Sequence, residues 1–408
     1  MLIMGLSIFP VVYFAVSRSM AASGGRLAQV ARVCGAGPYR AFLRVSLPLA
    51  LPAIAASLLL SFTLAIEEYG VPAALGGQAG VSVLTTAIER RLADWPIDLS
   101  GAALLSLVLV ALALTAYCVQ RAVLRGRGFD TTSGKPVPLA HAELGPWRGP
   151  VVAVFAAVAV LAAVVPLASM AASALQRTIS GGLSPHNLTL ANFAEIVGDA
   201  QGYESLLTSL LLAASAALLT GSLGFVAAWL VAGKHVRGAA WIDALALLPA
   251  ALPGVVVGVG LILAWNQPFW PLTPYGTWAI LLLSYSCLLL PYPMRYAGAA
   301  LTQLGPSLEA AARVHGASVL RALWRITLPL TAPSVIAAMM MVFAVASREL
   351  VTSLLLAPAG MSTVSVYVWR QFEQGSVGAG MAMACVAVLI SLTLMLAGLR
   401  LQARGDTR

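Results

Sequence analysis

Nine apolar runs constrain this chain more than anything else in it. They occupy residues 2–16, 49–66, 102–120, 151–170, 206–232, 242–265, 278–297, 333–356 and 378–399. A run of about 20 apolar residues crosses a hydrocarbon core of about 30 Å as a helix, and a helix satisfies its own backbone hydrogen bonds where water is absent. Composition agrees, since 60% of the 408 residues are apolar and 10% are charged, against roughly a quarter charged in soluble chains. The predicted fold class is an all-α integral membrane protein with about nine transmembrane helices. The first run has no basic leader and no convincing cleavage site, so it reads as a span and not as a signal peptide.

The formal charge of +9 is sorted by side. Alternating the spans places the stretches 18–44, 121–148, 234–237, 295–325 and 400–408 on one face, and these hold 19 of the 24 Lys and Arg residues. That is the positive-inside bias, which marks the face as cytoplasmic. A nucleic-acid partner would want the same charges on one continuous soluble surface, so none is expected. Cys34, Cys118, Cys287 and Cys385 are scattered, and His141, His186, His235 and His315 have no partner at ligand spacing, so no metal site is expected.

Two polar segments interrupt the apolar pattern, and they are copies of one another. "AQVARVCGAGPYRAFLRVSLPLALPA" begins at Ala28, and "EAAARVHGASVLRALWRITLPLTAPS" begins at Glu309. At a constant offset of 281 they share twelve residues within 22 positions without a gap, among them Arg32/Arg313, Gly35/Gly316, Ala36/Ala317, Arg40/Arg321, Arg44/Arg325 and Pro48/Pro329. Six apolar runs lie between them, an even number, so the chain holds two parallel halves with both segments on the same face. By the same offset, run 2–16 corresponds to run 278–297. The first half therefore lacks counterparts of the three runs that begin at Val151, about 130 residues, either because a longer parent of about twelve spans has been entered at an internal methionine or because the half has shortened.

Within the second copy, Ser307 to Val314 is predicted to form a short helix with Glu309 and Arg313 four apart, the favourable order for an ion pair. Gly316 permits a bend, and Ser318 caps a second helix predicted to end before Pro329. Arg321 and Arg325 share one face of it, while Leu320, Leu323, Trp324 and Leu328 supply an apolar one. A single segment of this kind could anchor a loop to anionic lipid. Two copies with Arg-x-x-Gly-Ala and Leu-Pro at fixed spacing favour docking onto a duplicated protein partner.

The words Glu309-Ala310-Ala311, Arg313, Gly316 and the distal Leu-Pro at Pro329 resemble the EAA loop of permease subunits from binding-protein-dependent ABC importers. The resemblance covers nearly the whole chain. It implies two MetI-like domains in parallel, a truncated first half over 1–125 and a second over 151–408, joined by a cytoplasmic linker over 126–150 that contains "FDTTSGKP". The tandem arrangement and "LSPHNLTLANF" at 183–193 are similar to the iron(III) type; 2-aminoethylphosphonate, thiamine and polyamine permeases share these loops. The resemblance also implies partners: two copies of a cytoplasmic ABC ATPase, which bind the ATP, and a periplasmic substrate-binding protein, with the chain in the bacterial inner membrane. The coupling residues it implies are Arg32, Gly35, Ala36, Arg40, Arg44, Pro48, Glu309, Ala310, Ala311, Arg313, Gly316, Ala317, Arg321, Arg325 and Pro329. Copy one departs from the pattern, with Ala28 and Gln29 where the family usually carries acidic residues.

Charges close the span after each copy, at equivalent places: "AIEEYGVPAALGG" at 65–77 and "ASRELVTSLLLAP" at 346–358, with Glu68 aligned to Glu349. A charge within a span is costly and often marks a pathway, and interrupted spans at corresponding positions of two halves point to one. Glu67, Glu68, Gly70, Arg348 and Glu349 are therefore candidates for a translocation pathway, against the alternative that they sit solvated at the outer interface. In 247–265, Pro249, Pro253, Gly254, Gly258 and Gly260 favour close helix packing, and Pro253 with Gly254 permits a kink. No Gly-x-x-x-x-Gly-Lys-Ser/Thr occurs and no hydrolytic constellation is apparent, so the chain is not expected to be an enzyme or to need a cofactor. The rival outside this class is a secondary transporter with parallel repeats, which would need coupling-ion groups deep in the spans.

Overall fold

A computed structural model describes residues 2–77, 79–124, 145–233, 236–305 and 307–405. Most of the proposed linker 126–150, including "FDTTSGKP", lies outside them. The described chain is helical and separates into two compact units, residues 1–90 with 107–168, and residues 91–106 with 169–408.

In chain order the first helices are α1 (Leu2–Val33), α2 (Pro38–Ala41), α3 (Leu47–Glu67), α4 (Leu84–Ala93), α5 (Leu99–Leu124), α6 (Arg148–Ala159) and α7 (Val165–Ala174). Within the first unit α1 packs along α3, and Tyr13 meets Phe155 of α6 edge-on at 5.9 Å. The outward faces of these helices are apolar: Phe14, Leu58, Phe62 and Phe155 are exposed. Water would penalise such faces, whereas lipid tails accommodate them.

The second unit adds α8 (Ala191–Gly198), α9 (Ala200–Ala232), α10 (Ala239–Leu247), α11 (Gly254–Trp265), α12 (Trp278–Leu289), α13 (Pro291–Leu304), α14 (Ser307–Val314), α15 (Val319–Ala322), α16 (Leu328–Ala346), α17 (Val351–Leu356), α18 (Val364–Glu373) and α19 (Val377–Gly405). Its spine is α9, started by the Asp199 carboxylate, which accepts from the Gln201 and Gly202 N–H groups. Ala213, Ala217, Gly221, Gly224 and Ala228 recur along α9 at helical spacing, which lets neighbouring backbones come close. A Cβ on Gly224 would lie 2.9 Å from the Met294 backbone nitrogen of α13, and one on Gly221 would run into Met339 of α16. Around this seam Leu212, Ile262, Ile280, Tyr285, Val342 and Leu356 form one buried cluster, drawn from α9, α11, α12, α16 and α17.

Among the described residues, seven helices are long and apolar enough to span. They answer to runs 2–16, 49–66, 102–120, 151–170, 206–232, 333–356 and 378–399. The count of nine is not reproduced, because the other two runs are broken. Run 242–265 is bent by 112° between Ala239–Ala251 and Gly254–Trp265, at Pro253-Gly254, where the proline has no N–H to extend the first piece. Run 278–297 is interrupted at Leu290, ahead of Pro291 and Pro293, leaving the 12-residue α12 followed by α13. Run 333–356 is also shorter than expected: α16 stops at Ala346, and α17 is a separate helix.

Candidate coupling segments and helix breaks

The two repeated segments fold alike, each judged within its own unit. α1 ends at Val33 and α14 at Val314, followed by Gly35 at φ 88° and Gly316 at φ 82°. In each copy the glycine N–H returns to the carbonyl three residues back and the next N–H to the one five back: Gly35 to Arg32 and Ala36 to Ala31, Gly316 to Arg313 and Ala317 to Ala312, all at 3.0 Å. This glycine-closed helix end needs left-handed backbone, which a side chain with a Cβ resists. A second short helix follows, α2 or α15, and in the second copy the Ser318 hydroxyl accepts from the Arg321 N–H as expected.

The expectation that this helix ends before Pro329 is wrong. Instead α15 passes into a π-helical turn, Leu323–Thr327, and runs on as α16. The first copy does the same through Phe42–Ser46 into α3. The wide turn explains how. A proline ring clashes with the carbonyl four residues back in a regular α-helix, and a π-turn opens that spacing. The Leu47 and Leu328 N–H groups accordingly bond five residues back, to Phe42 and Leu323.

Exposure repeats as closely as backbone. Across 31–50 and 312–331, eighteen of twenty positions share their burial state, the exceptions being Pro38/Val319 and Phe42/Leu323. Ala41/Ala322, Ser46/Thr327 and Ala50/Thr331 are buried in both copies and fix which way each segment faces. Arg32, Arg40, Arg44, Arg313, Arg321 and Arg325 are all exposed, as are Gly35, Gly316, Pro48, Pro329, Ala310 and Ala311; Ala36, Ala317 and Glu309 are half-buried. The apolar face expected on the second helix is divided. Leu323 packs into the core beside Phe225 and Val335, while Leu320 and Trp324 remain exposed.

Sequence reasoning missed part of this surface. Val33 and Val314 are 89% and 84% exposed at equivalent positions, and Tyr39/Leu320 and Leu43/Trp324 are exposed pairs at the same offset. Each segment thus presents three bare apolar side chains at equivalent positions, and the first copy adds Phe42. The available signal was the Val33/Val314 identity just before the glycine, where no core could receive a side chain.

The second constellation lies at the helix breaks. In the first unit α3 ends at Glu67, and the Glu68 carboxylate accepts from the Val71 N–H at 3.3 Å, so it caps the turn that follows. In the second, the Glu349 carboxylate accepts from the Thr352 N–H at 3.2 Å and caps α17. The two acceptors and the two donors are both 281 apart. Gly70 stands against the Glu68 carboxylate, where an added Cβ would lie 3.4 Å from it. Glu67 is half-buried with Oε1 enclosed and without a hydrogen-bond partner. Arg348 is exposed beside the half-buried Glu349.

Residues 1–129 and 221–406 match the binding-protein-dependent transport system inner membrane component family. The chain belongs to this family. It is a multi-pass inner-membrane protein of the ABC permease type, a transport component and not an enzyme. It is 28% identical over 364 residues to the ferric transport system permease protein FbpB of Actinobacillus pleuropneumoniae, covering 88% of this chain and 52% of that one. The chain thus spans about half the length of the ferric permeases it first matches. It is 29% identical over 231 residues to the putative 2-aminoethylphosphonate transport system permease protein PhnV of Salmonella paratyphi A, covering 57% and 86%. Among solved structures, its fold is similar to a bacterial alginate ABC transporter in complex with an alginate pentasaccharide-bound periplasmic protein, at TM-score 0.50 and 16% identity over 63% of this chain and 94% of that one.

Proposed function

We propose that this chain is a translocation subunit of a bacterial ABC importer whose cargo is ferric iron delivered by a periplasmic binding protein. Residues 1–125 and 151–408 act as its two halves, joined through 126–150. Two copies of a cytoplasmic ATPase bind the ATP, so the chain needs no cofactor of its own. They engage the coupling residues named above together with Val33, Tyr39, Leu43, Val314, Leu320 and Trp324. Glu67, Glu68, Gly70, Arg348 and Glu349 belong to the pathway.

The observation that carries this reading is the duplicated helix, glycine, helix segment with the same positions bare in both copies. Tyr39 in one copy, Trp324 in the other and the exposed arginines of both are the residue types that dominate binding hot spots. The ferric assignment is favoured by the extent of likeness, 88% of the chain for the ferric relative against 57% for the aminoethylphosphonate one. The latter cargo is the second reading.

Co-purification tests the docking. The ATPase is expected to stay with the unsubstituted chain and to bind at least tenfold more weakly to Trp324→Asp, since removal of a central aromatic from an interface costs about 2 kcal/mol or more. Undiminished ATPase binding by Trp324→Asp combined with Val314→Asp would count against the docking surface. Cargo is tested by the solute that the partner binding protein retains: iron(III) supports the first reading, an aminophosphonate the second.

A further inference from the structure

The break after α16 is closed by a short chain of buried hydroxyls. Ser353 Oγ donates to the Glu349 carbonyl at 2.7 Å, which uses its single proton. The 2.6 Å contact between the Tyr285 and Ser353 hydroxyls is therefore donated by the tyrosine. Ser353 lies on α17 and Tyr285 on α12, and both are fully buried. α17 has six residues, too few to persist by its own hydrogen bonds. Its position depends on this chain, on the Glu349 carboxylate, on Leu356 in the buried cluster, and on Leu355, whose Cδ1 lies 2.9 Å from where a Cβ on Gly258 of α11 would be.

Two observations suggest a device and not packing alone. In the first unit the carbonyl of Glu68, the counterpart of Glu349, also accepts a buried hydroxyl, from Thr85 of α4 at 3.0 Å. Both breaks thus have a hydroxyl on the same carbonyl, given by Ser353 four residues on in the second unit and by Thr85 of α4, 17 residues on, in the first. Beside Tyr285, the hydroxyls of Ser284 and Ser286 are buried without a hydrogen-bond partner. Unsatisfied buried groups are uncommon and call for an explanation. A second arrangement of α12 and α17, in which these serines take over the bonding, supplies one.

We propose that Tyr285 and Ser353 are positioning residues whose hydroxyls latch α17 onto α12, holding the break after α16 closed until the transport cycle shifts α17. This rests on the importer reading above. Neutral hydroxyl bonds suit a latch because each has modest net worth and can be exchanged.

The test places one reporter cysteine, Leu354→Cys, in the full chain with its four native cysteines replaced, and measures labelling by a membrane-impermeant maleimide added outside cells. Tyr285→Phe is expected to raise the labelling rate about fivefold, as fits the loss of one hydrogen bond. Ser353→Ala should do the same and Ser353→Thr should restore the slow rate. ATP hydrolysis in the absence of the binding protein should rise in step. If Tyr285→Phe fails to fold, the Ser353→Ala and Ser353→Thr pair makes the same comparison. Labelling within twofold of the parent, with ATP-driven transport intact, overturns the latch and leaves the importer reading standing. Raised labelling in a chain that transports without any ATPase overturns the importer reading and leaves the latch standing.

Discussion

Gly316→Val is expected to release the partner ATPase and cut ATP-driven transport about tenfold or more, while leaving the chain inserted in the membrane. Gly316 holds φ at 82° with nothing within 4 Å of where its Cβ would be, so the penalty comes from backbone strain and not from a clash. A left-handed conformation costs an L-residue about 1–2 kcal/mol, and a β-branched side chain bears it worst. Relaxing that strain turns α15 away from α14 and moves Val314, before the turn, relative to Leu320 and Trp324, after it. Gly316→Asn should be milder, because asparagine tolerates this region. Gly35→Val tests the first copy in the same way. ATPase retention on the detergent-purified chain, set beside its membrane yield, is the measurement. Full retention by both valine variants would show that the turn does not shape the docking surface.

Gly224→Ala is expected to destabilise the second unit, by about 1–3 kcal/mol as overpacked cores do. The new Cβ would meet the Met294 nitrogen and the Pro293 Cβ, both at 2.9 Å, and main chain next to a proline cannot yield as a flexible side chain can. Gly260→Ala is the control. It adds the same methyl in a helix where nothing lies within 4 Å, and should be neutral or slightly stabilising by helix propensity. Thermal unfolding in detergent should therefore separate two substitutions that are identical in sequence terms. Equal melting temperatures would mean that α9 and α13 are not so closely packed.

Much of this is legible in the sequence. Apolar run length is set by bilayer thickness, so most spans were legible. The Gly35/Gly316 turns were legible because few residues adopt positive φ. Four features were not. The helix that continues through Pro329 depends on a π-turn, and the rule that proline ends helices carries no information about that escape. The charges at Arg348 and Glu349 marked an interruption, but the apolar run was carried on to Leu356, because leucines and valines of α17 read the same whether or not the helix is continuous. Glu68 and Glu349 were found as a pair, but the backbone N–H groups of Val71 and Thr352 that their carboxylates accept from were not, because hydropathy does not show which groups a carboxylate meets. Tyr285, 68 residues from its hydrogen-bond partner, had no local signal at all.

On the importer reading, this chain carries cargo only when ATPase subunits drive the two repeated segments. Reconstitution into liposomes with its ATPase and the iron-loaded binding protein tests it most directly. Uptake should require ATP inside the compartment that faces the repeated segments, and should vanish when the ATPase is omitted or when Gly316→Val is used. Uptake that persists without ATPase and follows an imposed ion gradient would contradict the account.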